Sequence, residues 1–122
     1  MSQPLYEPFS CEVQTKGAAA HVLPAGELDI LSTPQLQQRL SQLRADGCKA
    51  IVLDLREVSF LDSTALHLLS QWTDASNLDG FDFSVRLGSP HHRRLVELTG
   101  LAAKLHLVAD ADGPTPPGGA GP

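Results

Sequence analysis

The run Ile51-Val52-Leu53-Asp54-Leu55 narrows the folds open to this chain more than any other segment. It is short, almost wholly apolar and β-branched at its start, which reads as a strand covered on both faces. A helical pattern lies directly before it: Leu36, Leu40 and Leu43 recur at i, i+4 and i+7 and form one apolar stripe. Ser32-Thr33-Pro34 offers a hydroxyl at the N-cap and a proline at the first helical position, and Gly47 stands where a left-handed cap would close the helix. A helix that feeds a buried strand predicts a layered α/β fold with that strand in the middle of the sheet.

The remaining segments extend the same alternation. Phe9, Cys11 and Val13 alternate with polar residues across 9–15, the period of a strand buried on one face, and Lys16-Gly17 supplies a turn. A second extended segment is predicted over 20–28, with Pro24 at an edge or a bulge because it cannot donate to a ladder. From Thr64 to Asn77 the pattern is helical, with Ala65, Leu68, Leu69, Trp72 and Ala75 on one face and Gly80 beyond the end. Phe81, Phe83, Val85 and Leu87 mark another strand, Ser89-Pro90 another cap and first turn, and Gly100 the end of a third helix. Residues 105–108 read as a short final strand or extended piece.

The expected architecture is α/β, a mixed, mostly parallel sheet of about five strands with helices packed against it. The 122 residues suit one domain, placed at 9–109 behind an N-terminal extension of residues 1–8. Residues 110–122 are dominated by Gly, Pro, Ala and Asp, too little apolar surface to offset ordering entropy, so a disordered tail is predicted.

Charge and composition remove several classes of function. A net charge of −5 repels nucleic acid and anionic membranes, and the one basic cluster, His91-His92-Arg93-Arg94, reads as a solvated helix face. No stretch reaches the ~18 apolar residues of a membrane span, and no secretory segment opens the chain, so a cytoplasmic protein with no membrane partner is expected. Cys11 and Cys48 are then expected to stay reduced. The five histidines lack metal-ligand spacing and no glycine-rich phosphate loop is present, so neither metal nor cofactor is expected.

The chemistry-bearing segment is Val58-Ser59-Phe60-Leu61-Asp62-Ser63-Thr64-Ala65-Leu66, where one carboxylate and two hydroxyls sit at a helix start. Unpaired N–H groups and a positive dipole favour an oxygen-bearing side chain there, so capping alone accounts for Asp62 or Ser63. Three segments in order add to this: Gly26-Glu27-Leu28-Asp29, Ile51-Val52-Leu53-Asp54-Leu55 and Phe60-Leu61-Asp62-Ser63-Thr64. Together with Arg94-Leu95-Val96-Glu97-Leu98-Thr99-Gly100-Leu101, they resemble the STAS family of anti-sigma factor antagonists over roughly 9–108.

The resemblance implies a binding switch and not an enzyme. It implies that Ser63, with Thr64 as second candidate, is phosphorylated by an anti-sigma factor serine kinase. The unphosphorylated form would bind that kinase and free its sigma factor, and a phosphatase would reset phospho-Ser63. Asp29, Asp62, Ser63, Thr64 and His67 are the expected partner-binding residues, Asp29 by analogy with a family aspartate that contacts the kinase. Ala65 stands where the family usually has glycine, which implies a stiffer helix start and a methyl in the path of an approaching kinase.

Two other readings remain at this stage. One is a STAS-type accessory or scaffold subunit, of a lipid-transport ATPase or a stress-sensing assembly, without a phosphoswitch. The other is a small esterase using Ser63 and His67, which share one side of a helix at i and i+4 but lack a glycine elbow and an orienting third group.

Overall fold

The structure, a computed structural model, describes residues 9–108. The expected N-terminal extension and disordered tail lie outside the described residues. In chain order the elements are β1 (Ser10–Lys16), β2 (Ala19–Leu28), α1 (Thr33–Ala45), β3 (Ala50–Asp54), β4 (Glu57–Leu61), α2 (Ser63–Asp79), β5 (Asp82–Arg86) and α3 (Pro90–Leu98). A 3-10 turn, Leu101–Ala103, follows.

Five strands form one sheet in the order β1-β2-β3-β5, with β4 also paired to β2. The β1–β2 hairpin is antiparallel, and the pairings of β2 with β3, β2 with β4 and β3 with β5 are parallel. Strand β2 therefore changes partner along its length. Ala19–Val22 pair with β3, Ala25–Leu28 pair with β4, and Pro24 falls in the gap, two residues before a bulge at Gly26/Glu27. A residue without an N–H costs least where the ladder is already broken.

The fifth strand is not the one the sequence pattern marks. Residues 105–108 contribute a single parallel bridge, Val85 to Leu107, whereas 57–61 form β4. Only Leu55 and Arg56 separate β3 from β4, so the two are successive halves of one course along β2. Between them Leu55 donates its N–H to Arg86 C=O at 2.8 Å, and Val58 donates back to Leu55 C=O at 3.1 Å. The turn from β5 to α3 presses against this jog: a Cβ on Gly88 would lie 2.7 Å from both Arg56 Cα and Leu55 O.

One face of the sheet carries the core. Ala20, Val22, Ile51, Leu53, Phe83 and Val85 are in register and almost fully buried, together with Leu36 and Leu40 of α1, Leu68 and Leu69 of α2 and Val96 of α3. Each such aliphatic side chain contributes about 2 kcal/mol by leaving water. Trp72 closes the α1–α2 seam: its Nε1–H donates to Gln37 Oε1 at 2.7 Å and its ring meets Phe81 edge-on at 6.1 Å. The C-terminus of α1 is closed at Gly47 (φ 97°), with Cys48 N–H donating to Leu43 C=O and Gly47 N–H to Arg44 C=O.

The opposite face departs from the expectation of a strand covered on both sides. Val52 and Ser84 remain partly exposed there, and the burial that does occur is polar. Asp54, fully buried, takes His21 Nε2 at 2.9 Å, and Arg56 Nε and its terminal nitrogen at 2.9 and 2.7 Å. Buried Arg86 adds an ion pair at 3.9 Å. Burial by itself would raise the Asp54 pKa, but the hydrogen bonds from Arg56, side chain and backbone, and from His21 outweigh it and hold the carboxyl below its ordinary value. Asp54, the last residue of β3, is thus buried as an internal ionic anchor of β2, β3 and β5.

Candidate functional site

Leu28 and Leu61 are paired at the ends of β2 and β4, so the segments leaving the two strands emerge side by side. One hydrogen bond ties the exits together, from Asp62 N–H to Leu28 C=O at 3.2 Å. Asp29 and Ser63 flank that bond on the two segments. Residues 34 positions apart in sequence are thereby brought to one end of the sheet.

The Asp62-Ser63 segment is built as a helix start. Asp62 has extended backbone (φ −108°, ψ −176°) and its Oδ1 accepts the Ala65 N–H at 3.1 Å, while its carbonyl accepts the Leu66 N–H at 3.1 Å. Asp62 is therefore the N-cap, and Ser63 the first residue of α2. Ser63 is exposed, and its hydroxyl makes no hydrogen bond among the described residues. The N–H groups of Ser63 and Thr64 also lack an acceptor among those residues, leaving two donors and the positive end of a 17-residue helix beside the hydroxyl. Thr64 is half-buried, which makes its hydroxyl the less accessible of the two.

Ala65 corrects one expectation. Its side chain is fully buried against the core, so the methyl points away from any approaching partner. His67 is exposed one turn after Ser63 and forms no hydrogen bond to it. Among the described residues, nothing orients this imidazole as a hydrolytic base would require.

Asp29 has the more elaborate local structure. Its Oδ1 accepts the N–H groups of Leu31 and Ser32, both at 3.0 Å, and its own N–H donates to Ser32 Oγ at 2.9 Å. Ser32 Oγ in turn donates to Glu27 C=O at 2.7 Å, and Thr33 N–H donates to Asp29 C=O at 2.8 Å. The Ser32 N–H is the main cause of an Asp29 pKa below the ordinary carboxylate range, helped by Leu31 N–H and the Ser32 hydroxyl against partial desolvation. Ser32 makes no side-chain cap to α1. Its hydroxyl reaches back to β2 instead, so Ser32 stands at the N-cap position that the sequence predicts but without the side-chain cap, while Asp29 organises the turn before it.

Three apolar residues that the sequence reading did not single out frame the site. Ile30 is 68% exposed, Leu31 79% and Phe60, paired with Glu27, 48%. No lysine or arginine occurs in 27–38 or 57–72. Among the described residues, no group of three or more His, Cys, Asp or Glu could hold a metal ion, and no helix is long and apolar enough to cross a membrane.

Known proteins resemble this chain in sequence and fold. The family model described as Mlab, STAS domain matches residues 11–109. An anti-sigma-B factor antagonist of Staphylococcus aureus is 33% identical over 99 residues, which cover 81% of this chain and 92% of that protein. The crystal structure of an anti-sigma factor antagonist from Mycobacterium paratuberculosis has a TM-score of 0.68 at 30% identity, covering 82% of this chain and 85% of that one. The Bacillus cell fate determinant SpoIIAA in its phosphorylated form has the same fold, with a TM-score of 0.64 at 18% identity over 86% of this chain and 95% of its own. With its sheet, its capped α2 and these relatives in agreement, the chain belongs to the STAS-domain family, among the anti-sigma factor antagonists.

Proposed function

We propose that this chain is a cytoplasmic anti-sigma factor antagonist whose switch is phosphorylation of Ser63. The unphosphorylated protein binds an anti-sigma factor serine kinase and so frees the sigma factor that the kinase holds. Transfer of phosphate to Ser63 ends that binding, and a phosphatase restores it. The observation that carries this reading is the placement of Ser63: an exposed hydroxyl on the first residue of a helix, without a hydrogen-bond partner among the described residues and beside two N–H groups that likewise find no acceptor there.

That placement suits a modification that leaves the fold alone. A phosphate adds about −1.5 to −2 charges, which the N-terminus of α2 accommodates. The consequence falls on the partner, which must face that charge together with Asp62. A hundredfold loss of affinity needs only about 2.7 kcal/mol.

Intact-mass spectrometry after incubation with ATP and each anti-sigma kinase of the host tests the proposal. One phosphate on the wild type and none on Ser63→Ala is the expected result. Binding without any phosphate transfer would favour a constitutive accessory subunit instead.

A further inference from the structure

Among the described residues five large apolar side chains are exposed, and three of them, Ile30, Leu31 and Phe60, lie at the Asp29–Ser63 end of the sheet. Scattered exposed leucines need no explanation, but apolar residues gathered beside a functional segment mark a contact surface. Ile30 and Leu31 are also held out by design of the turn. The turn is closed by its own polar groups: Asp29 Oδ1 accepts the Leu31 and Ser32 amides, and Ser32 Oγ donates to Glu27 C=O. A turn so braced presents its two apolar side chains with little ordering entropy left to lose on binding.

We infer that Ile30 and Leu31, with Phe60, form the apolar anchor for the anti-sigma kinase, and that Asp29 is a positioning residue that acts through this turn. The inference rests on the proposed function and adds its contact chemistry. The kinase must offer an apolar recess rimmed by cations, because the patch is apolar, carries Glu27, Asp29 and Asp62, and lacks any lysine or arginine in its two segments. Phosphate on Ser63 would then place charge at the edge of a surface that must be dehydrated on binding, which strengthens its effect.

The test uses the purified anti-sigma kinase that modifies Ser63, titrated calorimetrically with the full-length chain. Ile30→Ser and Leu31→Ser should each weaken binding about tenfold with the melting temperature unchanged, since both side chains are exposed. Asp29 separates a contact from a positioning role. Asp29→Ala removes the acceptor and should weaken binding by a similar factor, whereas Asp29→Asn keeps an oxygen for the Leu31 and Ser32 amides and should bind within about threefold of wild type.

An Asp29→Asn variant as weak as Asp29→Ala would show that the charge itself meets the kinase, and would overturn the positioning role. Serine variants at 30 and 31 that bind like wild type would overturn the anchor. So would a wild-type homodimer, seen by sedimentation, that Leu31→Ser dissolves while kinase binding stays intact. Wild-type protein that binds no anti-sigma kinase at all would sink the proposed function along with the inference.

Discussion

The Ala65 N–H donates to Asp62 Oδ1 across 3.1 Å, and this one bond fixes where α2 begins and hence which hydroxyl stands at its first position. Asp62→Ala should therefore lower stability by about 1 kcal/mol, the usual cost of an N-cap, or about 4 °C in Tm. Ser63→Asp should leave Tm unchanged or raise it slightly, because the added charge meets the positive end of the helix. Thermal unfolding of both variants checks the pair. A strong loss of stability in Ser63→Asp would mean that the switch acts by unfolding the domain.

Ala65→Gly restores the residue usual in the family, and it should prove a stability mutation with no effect on modification. The lost methyl is buried, and glycine in a helix costs about 1 kcal/mol relative to alanine. Urea unfolding should show that loss, while the rate of phosphate transfer to Ser63 stays at the wild-type value. Faster transfer would put the methyl in the kinase's path after all.

Asp54→Asn should be among the most damaging single substitutions, at about 3 kcal/mol, because it strips buried Arg86 and His21 of their shared carboxylate. The effect should depend on pH in a defined sense. The carboxyl titrates lower in the folded protein than its unfolded value of about 3.9, so its stabilisation is complete above that value. It disappears as pH falls through the folded pKa. The gap in urea midpoint between wild type and variant should be wide at pH 7 and close toward pH 2.

His92 should make the protein sensitive to milder acid. Burial on α3, with a smaller contribution from His91, lowers its pKa, and its Nδ1 has no hydrogen-bond partner among the described residues. The unfolded chain takes up this proton first, at about pH 6.5, so stability is full above that pH and declines below it until the folded pKa is passed. Unfolding curves between pH 7.5 and pH 5 should show that decline in wild type. The slope should be shallower in His92→Leu, and an equal slope would exclude His92 as its origin.

Much of this fold is legible because local rules and tertiary need agree. The Ser89-Pro90 start of α3 is capped as its sequence suggests, with His92 N–H donating to Ser89 Oγ at 3.1 Å, and Leu36, Leu40 and Leu43 are all buried. Strand β4 escapes notice because no turn residue separates it from β3: Leu55 and Arg56 look like continuing chain, and the break comes from Arg56 folding back on Asp54. The Ser63 end of the site is readable from its helix-start chemistry. Its apolar half is not, since nothing local distinguishes Ile30, Leu31 or Phe60 from core residues; only the three-dimensional arrangement leaves them outside. Ser32 keeps the N-cap position without the expected side-chain cap, because its Oγ accepts the Asp29 N–H and donates to Glu27 C=O and so takes no amide of α1.

The turn at Asp29 carries its structural cost entirely in main-chain and polar atoms, so the two side chains it displays are almost free to vary without penalty to folding. A lineage that duplicates such a regulator can thus separate the copies by drift at positions 30 and 31 alone. Cross-talk between parallel signalling circuits can be silenced there long before the scaffold itself begins to diverge.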